Sequence, residues 1–260
     1  MRSLAVCLLL VSGAFAQGER PLALRNVGID QRLDQQVPLD LPFRDETGKI
    51  VRLGDYFGDR PVILSLVYYE CPMLCTLVLN GLVRVMGGIS FNAGDQFNVV
   101  TVSFDARETP ALAAAKKKTY LERYHRPGAE KGWRFLTGDE SSIESLTRAA
   151  GFRYAFDRAT GQWAHATAIM VLTPEGKLAR YFYGVEYSAR DLRLALVEAS
   201  RNRIGTPTDQ VLLFCFHYDP ASGKYGLAIL NIIRAIGVTT ALALGVFMFV
   251  MFRRERGGSG

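Results

Sequence analysis

The stretch from Pro61 to Asn80, PVILSLVYYECPMLCTLVLN, decides how the rest of the chain is read. Val62, Ile63, Leu64, Leu66 and Val67, followed by Tyr68 and Tyr69, make an apolar, β-branched run of the kind that fills a buried strand. The run breaks at Glu70. From Cys71-Pro72 onward the apolar residues recur at helical spacing, as Leu74, Leu77, Val78, Leu82 and Val85. Proline is favoured in the first turn of a helix, where its missing N–H costs nothing, so a helix is predicted to open at Cys71. Cys75 then lies four residues on, on the same face and roughly 6 Å away at the backbone. The unpaired amides and the dipole of a helix N-terminus favour thiolates, and the pattern predicts a reactive dithiol.

The length of 260 residues allows one good-sized domain with appendages. Arg2, the apolar run Leu4–Val11 and the Ala14-Phe15-Ala16 cleavage pattern describe a secretion signal over 1–16, with a mature start near Gln17. That apolar run is too short to span a bilayer. Residues 17–36 read as an N-terminal extension, 37–204 as the globular domain and 205–226 as a juxtamembrane segment. Within 227–252, the 18 uncharged residues Ala235–Phe252 are long enough to form a transmembrane helix. Arg253, Arg254 and Arg256 in the tail 253–260 read as a cytoplasmic flank. The expectation is a bacterial-type plasma membrane protein with its globular domain on the periplasmic side.

The net charge of +6 shrinks once these segments are set aside. Without Arg2 and the tail's three Arg and one Glu, 27 basic and 24 acidic residues remain. No basic run exceeds Lys116–Lys118, so the chain carries no footprint for nucleic acid. Of four cysteines, Cys7 leaves with the signal; Cys71 and Cys75 form a close pair and Cys215 is the odd one. A disulfide across three residues closes too small a loop to stabilise much, so the pair is expected to work rather than to staple.

Elsewhere the pattern alternates. Pro38–Val51 reads as a hairpin turning at Glu46-Thr47-Gly48, and Leu53–Gly58 as a short helical turn. Phe97–Phe104 is a second buried strand. Thr109-Pro110 opens a helix that runs to about His125, and Trp133–Leu136 is a short strand. Ser141–Ala150 is a helix closed by Gly151, and Phe152–Phe156 a strand before a turn at Thr160-Gly161. Ala168–Thr173 and Leu178–Tyr183 flank the turn Pro174-Glu175-Gly176, and Ser188–Arg201 is an amphipathic helix. Strands alternating with helices, then a late hairpin, predict an α/β fold around one sheet.

This order resembles that of thioredoxin-like proteins, with a central sheet flanked by helices. Cys71-Pro72-Met73-Leu74-Cys75 has a C-x-x-x-C spacing, one residue longer than the thioredoxin dithiol. Ser103-Phe104-Asp105-Ala106-Arg107-Glu108-Thr109-Pro110 is similar to the S-x-D-P-x-x-D-T-P segment of the Sco (SenC-type) family, with Ala106 and Glu108 in place of Pro and Asp. His165, in Ala164-His165-Ala166-Thr167, falls where that family carries a D-H-[ST] histidine, with Ala164 in place of Asp. Over Val37–Ser200 the chain resembles these membrane-tethered copper chaperones. The resemblance implies copper bound by Cys71, Cys75 and His165. It also implies delivery to, or thiol reduction at, the CuA site of cytochrome c oxidase subunit II, with a periplasmic copper donor or thiol reductant upstream.

Two thiolates and an imidazole make a soft, three-coordinate set that favours Cu(I), and that can also take Cu(II); Zn(II) would want a fourth ligand or a water. Met73 is a soft atom inside the dithiol loop but is expected to point away. His125 reads as a solvated helix-end residue. Two other classes use the same cysteines. A thiol–disulfide oxidoreductase of thioredoxin type would place a proline where His165-Ala166-Thr167 stands, and a peroxidase would need a Pro-x-x-x-Thr-x-x-Cys arrangement that Pro61-Val-Ile-Leu-Ser does not supply. Finally, Cys215 and His217 are two apart in VLLFCFHYDP; in an extended segment they point to one side, either as half of a second soft metal site or as packing beside Phe214 and Phe216.

Overall fold

A run as apolar as Val62–Val67 can be accommodated only in a strand covered on both faces. The computed structural model describes residues 27–203, 218–219, 224–225, 237–242, 244–245, 247–248 and 251. In chain order the elements are β1 (Gly28–Ile29), β2 (Pro42–Arg44), β3 (Ile50–Arg52), a 3-10 turn (Leu53–Tyr56), β4 (Val62–Val67), α1 (Leu74–Gly87) and β5 (Asn98–Ser103). There follow α2 (Pro110–Tyr124), α3 (Ala129–Gly132), β6 (Trp133–Leu136), α4 (Glu140–Ala149), β7 (Phe152–Asp157) and β8 (Gln162–His165). β9 (Ala168–Leu172), β10 (Leu178–Tyr183) and α5 (Ala189–Ala199) complete the globular unit.

The main sheet has the order β10-β9-β4-β5-β6. β4, β5 and β6 run parallel, whereas β9 runs antiparallel to both β4 and β10. Every residue of β4 and of β9 is buried. α2 packs on β6 and on α1, and α5 on β9, β10 and α1. The helix boundaries follow local chemistry: Thr109 caps α2 by accepting from the Leu112 amide, Pro110 sits in its first turn, and His125 ends it in the left-handed conformation. Glu46, in the β2–β3 turn, is buried between Lys117 of α2 and Arg134 of β6 and ties that hairpin to the body.

Two features depart from the sequence expectation. The helix after the dithiol begins at Leu74, not at Cys71. A residue before proline is disfavoured in the α region, and Cys71 lies ahead of the helix. Its amide instead closes a turn onto the Tyr68 carbonyl (3.3 Å). Secondly, Gln162–His165 forms a strand of its own, paired antiparallel with β7, and β1 adds to β7 on the other side. The segment 28–36, read from sequence as part of an extension, also joins the body through Gly28 beside Arg153 and Gln36 beside Lys177.

Residues 205–260 form a separate unit. Within it Tyr218–Asp219 pairs with Lys224–Tyr225, and the described residues between 237 and 251 are helical. Among the described residues no helix is long and apolar enough to cross a membrane. The signal segment 1–16, most of the expected span 227–252, and both Cys215 and His217 lie outside the described residues.

Gly81 lies on the inner side of α1, where the loop before α5 comes closest: a Cβ there would stand 2.0 Å from the Val185 carbonyl oxygen. Gly81→Ala is therefore expected to cost about 1–3 kcal/mol of stability. That corresponds to a drop of roughly 2–4 °C in Tm per kcal/mol, read by thermal unfolding of the purified protein.

Candidate metal centre

The sheet register brings the distant site residues together. β4 pairs with β9 through Ser65 opposite Ile169 and with β5 through Val67 opposite Ser103. Because β9 is antiparallel, its first residues lie at the same end of the sheet as the last residues of β4. Cys71 follows the end of β4, His165 precedes the start of β9, and the loop after β5 leaves from beside them. In open α/β sheets this carboxyl end of the parallel strands is where ligands bind.

The three donors are buried, and Cys71 Sγ, Cys75 Sγ and a ring nitrogen of His165 all lie within 4.8 Å of one another. Ligand atoms about 2.0–2.3 Å from one metal in a trigonal plane stand roughly 3.5–4 Å apart, so this spacing fits a single ion with little movement. Among the described residues no further Cys, His, Asp or Glu joins the cluster. The His165 ring is oriented by its Nδ1, 2.9 Å from the Ala166 carbonyl oxygen. A carbonyl can only accept, so Nδ1 carries a proton and Nε2 is the nitrogen presented to the sulfurs, 3.3 Å from Cys75 Sγ.

The two thiols are free and unlike. Cys71 Sγ takes the place of a helix cap, accepting from the Cys75 amide at 3.3 Å. Its acidity is raised, with the pKa lowered to about 3: the Cys75 side chain hydrogen-bonds to it, burial opposes this, and the His165 ring and the Cys75 and Met73 amides add to the lowering. Cys75 is pushed far the other way by burial, and further by donating its proton to Cys71. It also accepts from the Tyr68 amide at 3.3 Å. The reduced pair therefore holds one shared proton and one negative charge. Around it Tyr68, Phe104 and Phe152 form an aromatic wall, with ring centroids 5.9, 5.2 and 6.3 Å from that of His165.

The sequence alone did not single out Glu108 as a site residue. It is buried in the loop after β5, and its carboxylate accepts from the Tyr69 and Glu70 amides, both at 2.7 Å, and from the Ser103 hydroxyl. These bonds fix the backbone immediately ahead of Cys71. Burial raises the acid's pKa and the three donors oppose the shift. The available signal was its place in the Ser103–Pro110 segment. Met73 is 64% exposed, pointing away from the cluster as expected, and His125 is exposed at its helix end.

The SCO1/SenC family model matches residues 30–199. The chain belongs to the SCO1/SenC family. A Stutzerimonas stutzeri protein whose name proposes copper binding is 28% identical over 143 residues, which cover 54% of this chain. The chain spans only 61% of the length of that curated relative. A crystal structure from Aquifex aeolicus VF5, of a protein whose name proposes electron transfer, is similar at 28% identity and a TM-score of 0.58, over 65% of this chain and 95% of that one. Two Sco structures share the fold. Arabidopsis thaliana ScoI with copper bound has 20% identity and a TM-score of 0.50, over 62% of this chain and 96% of its own. BsSco, described as a member of the Sco family of cytochrome c oxidase assembly proteins, has 19% identity and a TM-score of 0.52, over 66% and 97%. The Sco domain here thus has the mixed α/β, thioredoxin-like architecture that the sequence predicts.

Two outcomes follow from this geometry. The reduced, metal-free protein is expected to show the ultraviolet absorbance of one thiolate at neutral pH, lost only as pH falls towards about 3; Cys71→Ser removes it, and a thiolate that instead titrates in the ordinary thiol range contradicts the assignment. Glu108→Gln sets an amide N–H₂ against a backbone N–H, leaving a buried donor unpaired. Its expected cost is about 1–3 kcal/mol, read as a shift in denaturant midpoint.

Proposed function

We propose that Cys71, Cys75 and His165 hold one copper ion as cargo, and that the Sco domain delivers it to the CuA site of cytochrome c oxidase subunit II. The observation that carries the reading is the convergence of two buried sulfurs and one oriented imidazole nitrogen within 4.8 Å. Two thiolates satisfy the soft Cu(I) ion, and the imidazole extends the set to Cu(II). The copper-bound relative and the oxidase-assembly family of BsSco support the cargo and the recipient.

A second reading uses the same sulfurs for thiol reduction of the recipient site. It is favoured by the Cys71 thiolate, a competent nucleophile beside a proton-bearing partner. Cys71 attacks one sulfur of the recipient's disulfide and releases the other as a thiolate. Cys75 then attacks Cys71 Sγ and displaces the bound sulfur, so the recipient gains two electrons, with one proton from Cys75 and the other from solvent, while Cys71 and Cys75 become a disulfide.

For placement, we infer a cleaved signal, a C-terminal span and a globular domain facing the periplasm. The described apolar residues Val238, Leu242, Leu244, Phe247, Met248 and Met251 are helical and exposed, which supports an apolar surround for that helix. Cys215 and His217 remain a proposed second copper position beside the membrane, with packing as its alternative. The double variant Cys215→Ala/His217→Ala in membranes decides between them by oxidase assembly.

Titration with Cu(I) against a competing chelator is expected to give one ion per chain. Cys71→Ala and Cys75→Ala each abolish tight binding, while His165→Ala weakens it and alters the Cu(II) spectrum; unchanged stoichiometry in Cys71→Ala overturns the reading. Because Cys75 still carries its proton, Cu(I) affinity should fall by about tenfold per pH unit on acidification, as for one released proton. Protease applied outside spheroplasts should digest the domain and spare a small C-terminal fragment.

A further inference from the structure

The loop 104–109 between β5 and α2 touches both arms of the metal centre. Glu108, at one end, holds the backbone ahead of Cys71. Asp105, at the other, reaches the hairpin that carries His165. Its carboxylate accepts from Trp163 Nε1 at 2.8 Å, from Arg107 Nε at 2.8 Å and Nη2 at 2.6 Å, and from the Arg107 amide at 3.0 Å. The Arg107 guanidinium lies over the rings of Phe156 (5.1 Å) and Trp163 (5.7 Å), which face each other across the β7–β8 hairpin.

Trp163 stands two residues before His165 on β8, so both side chains leave the same side of the strand. Phe104 packs against both rings, 6.3 Å from Trp163 and 5.2 Å from His165. Ala164, between them, has no polar side chain to anchor the strand. β8 is half-buried along Trp163 and Ala164, and the last carboxylate grip before the histidine is the one at Trp163. Asp105 itself is 5% exposed, and its charge is satisfied by Arg107 and Trp163 together.

We propose that Asp105 and Trp163 are positioning residues for the metal centre: the hydrogen bond between them docks the β7–β8 hairpin so that His165 Nε2 meets the two cysteines, and Arg107 locks Asp105 in the conformation that accepts it. Partners that orient a metal-binding histidine from outside the ligand set change metal affinity by about 10–100-fold when removed. The copper half of this inference rests on the proposed copper site, whereas the docking half concerns the metal-free chain.

The test uses the full chain and three variants. Trp163→Phe keeps a ring over Phe156 and under Arg107 but loses the N–H. Arg107→Ala removes a largely exposed guanidinium, which leaves the core untouched should Trp163→Phe unfold. Asp105→Asn keeps an oxygen for Trp163 but sets its amide N–H₂ against Arg107, so it separates the Trp163 bond from the Arg107 lock. In the metal-free protein, alkylation of Cys75 by iodoacetamide is followed by peptide mass mapping, alongside thermal unfolding. In the copper-loaded protein, the nitrogen hyperfine coupling of His165 on Cu(II) is measured, with His165→Ala as its control. Expected in Trp163→Phe are a faster alkylation of Cys75 than in the wild type and a weakened or lost nitrogen coupling. A smaller shift in the same direction is expected in Arg107→Ala and, because its amide faces the Arg107 donors, in Asp105→Asn. Wild-type alkylation and coupling in both Trp163→Phe and Arg107→Ala overturn the inference. Faster alkylation that only tracks a lowered unfolding temperature, with the coupling intact, overturns it too. A wild-type chain whose copper shows no His165-dependent coupling refutes the copper site instead, and the alkylation rates then decide the docking role alone.

Discussion

The mixed pairing of β4 governs the molecule: parallel to β5 on one side, antiparallel to β9 on the other. That arrangement gathers the end of β4, the end of β5 and the start of β9 at one edge of the sheet. Three chain segments far apart in sequence thereby become neighbours, and each brings a different kind of group: sulfurs, carboxylates and an imidazole. The strand interiors accept no charged groups, their buried polar residues being hydroxyls such as the Ser65–Thr101 pair, so ionisable chemistry is concentrated where the strands stop.

That concentration has an electrostatic character of its own. Burial disfavours charge on every acid in the cluster, yet Cys71 is held ionised while Cys75 and Glu108 shift the other way. The difference lies in donors. Cys71 collects hydrogen bonds from a thiol and two amides, whereas Cys75 gives its proton to Cys71. The low dielectric made by Tyr68, Phe104 and Phe152 strengthens these bonds and the penalty on any group that lacks them. At the proposed copper site a soft cation would replace one shared proton and meet charge that is already in place.

Much of this was legible in the sequence, for physical reasons that can be named. Val62–Val67, broken only by Ser65, and Ala168–Leu172 are buried on both faces, and such apolar runs admit few other fates. Thr109-Pro110 marks a helix start because a hydroxyl cap and a proline suit the same two positions. The start of α1 was misplaced because Pro72 acts on two neighbours at once. It suits a first helical turn, but it also bars Cys71 from the α region, and the second effect prevailed. β8 was missed because Gln162–His165 is short, half-exposed and paired only along one edge, so it leaves no clean alternation. The roles of Glu108 and Trp163 were out of reach for a different reason. Glu108 makes two long-range hydrogen bonds and Trp163 one, and no local pattern reports partners 38, 39 or 58 residues away.

His165 and Cys75 are 90 residues apart along the chain, and the pairing of β4 with β9 brings them together. Contacts of such separation form late, after the loop-closure entropy of the intervening β5, β6 and β7 has been met. A chain still on its way to the native state offers two sulfurs but no nitrogen. The complete donor set exists only in the folded chain, so at the proposed copper site an ion that needs all three ligands would be retained by folded molecules alone.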